Sequence, residues 1–166
     1  MKVSGRKLLL AIAIVGAATI ATVVLGFRSV GWTRFQANSR LMEGKSNVVW
    51  FARAVIACAE ETGKVPETSK AVPATLADVG GKTWKSTAAD WSADETLRCA
   101  RWSRAEPQAF RYQWEKTGEL SGRTRAEADF DGDGVAEAVY EQEIDCQSQS
   151  GKLWCRPGPF HDIARK

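Results

Sequence analysis

Asp129-Phe130-Asp131-Gly132-Asp133-Gly134-Val135-Ala136-Glu137 is the stretch of this chain whose residue types and spacing best suit chemistry. Hard divalent cations take carboxylate and carbonyl oxygens, and alternate aspartates on a tight glycine turn aim several oxygens at one point. Asp129, Asp131, Asp133, Val135 (through its main-chain oxygen) and Glu137 form the candidate ligand set. Calcium in a structural role is the candidate cofactor. The competing reading is a plain hairpin turn, because Asp-Gly pairs supply the left-handed conformations that hairpins need. The cation is slightly favoured: three aspartates two residues apart repel one another unless a cation or solvent intervenes.

The first six of these residues fit the opening of an EF-hand loop, with Gly134 where the sharp turn falls. Tyr140 stands where the closing bidentate glutamate is expected, so Glu137 would have to close a shorter loop. Catalysis finds little support elsewhere. His161 is the only histidine and lies six residues from the end, and no two carboxylates among Asp133, Glu137 and Glu141 stand out as a pair. A phosphate-binding glycine loop in a strand-to-helix setting is missing too. The expectation is a protein that is not an enzyme.

The four cysteines, Cys58, Cys99, Cys146 and Cys155, lack the CxxC spacing of a structural zinc site or redox motif. An even number suits disulfides in an exported domain, and buried free thiols are the alternative. Cys146 and Cys155 bracket the polar stretch QSQSGKLW, which reads as a hairpin loop, so these two are expected to pair. Cys58 with Cys99 follows by elimination and would tie a long helix to the rest of the head. A loop of about forty residues closed in this way stabilises by roughly 3–4 kcal/mol in the chain-entropy model.

Three strand-like segments flank the acidic loop. Phe110, Tyr112 and Trp114 alternate with Arg111 and Gln113, residues 123–128 form a second candidate, and Val135 to Ile144 alternates again. In the third, Ala136, Ala138, Tyr140 and Ile144 fall on one side and Glu137, Glu141 and Glu143 on the other. A small antiparallel sheet with one apolar face follows. Its partner is an amphipathic helix in which Phe35, Leu41, Val48, Phe51, Val55 and Cys58 recur at spacings of three, four or seven. Gly63 would cap that helix and Pro66 stop it. Residues 66–81 read as a connecting loop, and residues 84–102 give no clear pattern. Trp84, Trp91, Trp102, Phe110, Tyr112 and Trp114 are expected to fill the core rather than to form a carbohydrate platform or subunit contact.

Upstream, residues 8–27 run for twenty positions without a charge, long enough at about 1.5 Å per residue to cross a bilayer core of roughly 30 Å. The alternatives are a cleaved signal peptide and a permanent anchor. The length of the run, and an exit (Val24 to Arg28) without a small-x-small site, favour the anchor. Lys2, Arg6 and Lys7 before the run outweigh Arg28 and Arg34 after it, which favours a cytoplasmic N-terminus and an external head.

The expected organisation is a basic tail (1–7), a transmembrane helix (8–27), an amphipathic helix (28–63) and an exported α+β head (64–166). A net charge of +3, from 23 basic and 20 acidic residues without a like-charge block, gives no nucleic-acid groove.

On three stretches the chain resembles the type IV pilin-like proteins, in particular the short ones of deltaproteobacteria. These are residues 44–66 (GKSNVVWFARAVIACAEETGKVP), 87–114 (TAADWSADETLRCARWSRAEPQAFRYQW) and 125–141 (RAEADFDGDGVAEAVYE). The resemblance implies an α+β fold in which a long N-terminal transmembrane-to-amphipathic helix packs on a small antiparallel β-sheet. It also implies helices that bundle into a filament core, and a C-terminal disulfide matched by Cys146 and Cys155. One feature departs from the family: Gly5 is followed by Arg6-Lys7-Leu8-Leu9-Leu10, without the prepilin peptidase signature or its acidic residue.

The expected function is that of a single-pass inner-membrane structural and interaction protein, its head in the periplasm or outside the cell. Its partners would be the lipid bilayer and other pilin-like or envelope assembly proteins of a type IV pilus or type II secretion assembly. A stand-alone anchored binding or calcium-responsive module is the alternative.

Overall fold

Apolar residues three and four apart put a continuous stripe on one side of a helix. In the computed structural model, which describes residues 39–164, that stripe lies on a single helix, α1 (residues 39–62). Val48, Phe51, Ala52, Val55, Cys58 and Ala59 form its buried face. The helix stops where Gly63 takes a φ of +71°, and the Thr62 hydroxyl donates back to the Cys58 carbonyl at 2.8 Å. The expected tail, span and helix start (residues 1–38, Phe35 among them) lie outside the described residues. Among the described residues no helix is long and apolar enough to cross a membrane.

The sheet is an antiparallel meander of β1 (Arg111–Lys116), β2 (Ser121–Ala128), β3 (Ala138–Gln149) and β4 (Lys152–Ala164), in that order. Period-two alternation sorts its side chains onto two faces. Tyr112, Trp114, Thr124, Ala126, Ala138, Tyr140 and Ile144 are buried beneath α1 and join its apolar face in one core. Burying a side chain such as Phe51 is worth about 1.5–3 kcal/mol. Phe51 also stacks on Trp102 with centroids 5.1 Å apart.

Two glycines permit the close packing. A Cβ on Gly44 would lie 2.6 Å from the Phe110 ring, and one on Gly122 only 2.2 Å from the Trp114 ring. The Thr124 hydroxyl, fully buried, donates to the Val48 carbonyl of α1 at 2.9 Å and so meets the cost of burying a polar group. The aromatic set fills the core as expected. Trp91, Phe110, Tyr112 and Trp114 are buried, and Trp84 and Trp102 pack against them half-buried.

The outer face carries alternating charge. Arg123 reaches Glu115 at 2.8 Å and Glu141 at 3.3 Å, while Arg125 reaches Glu127 at 2.7 Å and Glu141 at 2.8 Å. Glu141 is thereby buried between two guanidiniums, a charge taken from water but doubly paired.

One expectation needs correction, the loop between Cys146 and Cys155, and two places that the sequence left open gain structure. His161, near the end of the sequence, lies on β4 opposite Glu141 and contacts Glu143 at 2.9 Å. The stretch between Cys146 and Cys155 is mostly strand, turned only at Ser150 and Gly151, both with positive φ. The unassigned residues 84–102 form two five-residue helices, α2 (Ala88–Ser92) and α3 (Glu95–Cys99). Thr87 with Asp90 caps α2, and Asp94 caps α3 by accepting from the Leu97 N–H at 3.0 Å. Within the connecting segment Leu76–Asp78 is a 3-10 turn, and Val72 pairs with Tyr112 along the β1 edge.

Both expected disulfides are present. Cys58–Cys99 ties the last turns of α1 to α3, and Cys146–Cys155 joins a β3–β4 rung.

Candidate metal centre

The acidic loop is the connection from β2 to β3. Its ends are joined where the Glu137 N–H donates to the Ala128 carbonyl at 2.9 Å. Between them the aspartates organise the backbone themselves, as short polar side chains do in turns. Asp129 is 1% exposed, and its two oxygens accept from the N–H groups of Gly132 (2.6 Å) and Gly134 (3.0 Å). Asp131 accepts from the Asp133 N–H at 3.0 Å, and Asp133 from the Val135 N–H at 2.7 Å. Glu137 accepts from the Phe130 N–H. Gly132 and Gly134 have φ of +81° and +88°, conformations that strain any residue with a Cβ.

This folding brings Asp129, Asp131, Asp133 and Glu137 together. One oxygen from each lies within 4.8 Å of the others. Ligands on opposite sides of a calcium ion stand about 4.6–5.2 Å apart, so the four fit one coordination sphere and can hold a metal ion. Each carboxylate oxygen has two lone pairs, so accepting one N–H leaves capacity for a cation. Among the described residues no lysine or arginine pairs with any of the four. Val135 sits at the loop surface, 53% exposed, and contributes no side-chain ligand.

Sequence alone did not locate the second wall of the site. The turn after Leu76–Asp78 packs against the loop, with the Gly81 N–H donating to the Asp129 carbonyl at 2.9 Å. A Cβ on Gly80 would lie 3.1 Å from an Asp129 carboxylate oxygen. The pair Gly80-Gly81 was the signal available, but nothing local says which surface it approaches.

A second polar cluster lies under α1. Glu43 accepts from the Ala109 N–H (3.2 Å) and the Tyr112 hydroxyl (3.4 Å), and Asn47 donates to that hydroxyl at 2.9 Å. Burial pushes the Glu43 carboxyl above its ordinary range, against the pull of the Ala109 N–H and the Arg104 charge. Burial, reinforced by Glu43, also pushes the Tyr112 hydroxyl far up, so it stays a neutral donor.

No protein family, curated protein or solved structure matches this chain.

Proposed function

We propose that this chain is a non-enzymatic, membrane-anchored, pilin-like structural and interaction protein of the bacterial envelope. Residues 8–27 would hold it in the inner membrane, and the α+β head would stand outside, near a type IV pilus or type II secretion assembly. The observation that carries this proposal is the seating of α1 on a four-stranded antiparallel sheet, with an apolar run of membrane length upstream. The two disulfides support an oxidising compartment for the head.

The acidic loop supports a structural role for calcium. Bound there, the ion would hold the β2–β3 connection against the Gly80-Gly81 turn by neutralising four converging carboxylates. That same cluster favours the second reading, an anchored calcium-responsive module that does not polymerise.

The N-terminal residue of the protein recovered from membranes, read by mass spectrometry, separates the two. A start at Arg6 means that a prepilin peptidase accepts the signal, and favours assembly. Retention of Met1 or Lys2 means an unprocessed anchor, and excludes entry into a filament by the usual processing route.

A further inference from the structure

β2 begins at Ser121, opposite Asp145, and just beyond that pair the Cys146 N–H donates to the Leu120 carbonyl at 2.8 Å. Beyond it β3 and β4 continue as a two-stranded ribbon with the rungs Cys146–Cys155, Gln147–Trp154, Ser148–Leu153 and Gln149–Lys152. A lone two-stranded ribbon is marginally stable in water. Here the disulfide locks the first rung, and the Cys155 N–H is held by Glu60 of α1 at 3.0 Å.

The braced ribbon presents Trp154, 59% exposed. Alternation puts Asp145, Gln147 and Gln149 on the same face, opposite Arg156, Trp154 and Lys152, and all six are exposed. Trp154 borders two open clefts. One, of about 460 Å³, runs to the end of α1 and is edged by Glu60, Glu61 and Lys152. The other, of about 110 Å³, is edged by Asp145, Gln147 and Arg156.

We propose that Trp154 and its polar rim form a binding site for a neutral hexopyranose unit of a glycan. A pyranose offers one apolar C–H face, which stacks on an indole, and a ring of hydroxyls around it. The rim supplies matching groups: amide and carboxylate acceptors, with guanidinium, ammonium and amide donors. The charges edging the clefts are mixed, with Lys152 and Arg156 against Asp145, Glu60 and Glu61, so neither a polyanion nor a polycation is selected. A protein hot spot is a poorer fit. Its core needs several apolar residues that lose water together, and this face of the ribbon has a single aromatic among charged and amide side chains.

The test uses the full chain, purified in a detergent without a sugar headgroup, and saturation-transfer NMR with cellohexaose, N-acetylglucosamine hexamer and maltohexaose as probes. One aromatic platform should bind at a Kd of about 0.1–1 mM. Saturation should pass to ring C–H protons of at least one probe. W154A should weaken binding at least tenfold, Q147A several-fold, and W154F less than W154A. W50A is the control, since Trp50 is equally exposed on α1 but packs against Arg53. Transfer to none of the three probes overturns the proposal, as does transfer that survives W154A. A W154A variant that binds no glycan differently but loses contact with a protein partner also overturns it, and makes the ribbon a protein-docking element.

Discussion

Asp129→Asn tests the acidic loop with the least change in shape. The carboxylate is buried, and each oxygen accepts one backbone N–H, from Gly132 and from Gly134. Asparagine keeps one acceptor and turns an NH₂ donor toward the other N–H. Two hydrogen bonds to the charged group, each worth about 1.5–3 kcal/mol, are lost or weakened, while relief of repulsion from the converging carboxylates returns about 1–2 kcal/mol, so a net loss of about 2–4 kcal/mol is expected. For a unit of this size, with an unfolding entropy of about 2 cal/mol/K per residue, the melting temperature should fall by roughly 7–15 °C. The assay is thermal unfolding followed by circular dichroism, in EDTA and again in calcium. If the proposed calcium role holds, calcium at 100 times its Kd should add about 2.7 kcal/mol to the wild type, a rise of roughly 10 °C, and no rise in the wild type would refute it. The variant should lose most of that rise. Two results refute the reasoning separately. A melting point in EDTA within about 2 °C of wild type removes the turn-forming role. An undiminished rise with calcium removes Asp129 from the ligand set.

Three further outcomes are expected. Burial raises the Glu43 carboxyl in the folded state, so the fold binds that proton more tightly than the unfolded chain does. The Glu43 contribution to stability is thus fully present below its unfolded value and is lost as pH rises through the folded one. Glu43→Gln should flatten denaturant midpoints over that window and gain most at neutral pH; an identical pH profile would count against it. Gly44→Ala gains about 1 kcal/mol of helix propensity but drives a Cβ to 2.6 Å from the Phe110 ring, an overpacking cost of about 1–3 kcal/mol. Net destabilisation in urea is expected, and a stabilised variant would mean that α1 can lift off the sheet freely. Replacing both Cys146 and Cys155 by serine should remove about 2.5–3 kcal/mol of chain-entropy stabilisation, concentrated in the ribbon. Hydrogen exchange should then accelerate at Gln147 to Trp154 more than at β1 or β2; uniform acceleration would contradict a local brace.

Helical periodicity was strong enough in residues 48–58 to fix which side of α1 meets the sheet, because Val48, Phe51, Val55 and Cys58 leave no second apolar stripe of equal strength. β1 and the first part of β3 were legible for the same reason at period two. β4 was not. Pro157, Gly158 and Pro159 look like breakers, and they are tolerated only because β4 is an edge strand with a register shift opposite Glu143. The buried Gln142 side chain donates to the Gly158 carbonyl at 2.8 Å and so satisfies the irregular backbone there. Nothing local announces that pairing. α2 and α3 were illegible because five residues do not complete two helical turns. At the candidate metal centre the four carboxylates were readable from spacing alone, whereas the Gly80-Gly81 wall depends on a contact some fifty residues distant.

The two margins of the sheet decide how copies of this protein can associate. Along β1 the margin is occupied: the Ser69 N–H donates to the Trp114 carbonyl at 3.0 Å, and Val72 exchanges two bonds with Tyr112. Along β4 it is interrupted, because Pro157 and Pro159 have no N–H and the Cys155 N–H is already taken by Glu60. Among the described residues the β4 edge keeps Phe160 to Ala164 as its longest uninterrupted run, and past β2 the β3 edge leaves only the short stretch Gln147 to Gln149. An incoming strand therefore finds no long template on either side, and the sheet resists the lateral growth that leads to fibrils. Crowding would press copies together without zipping them into a shared sheet, leaving contact between copies to helices and loops.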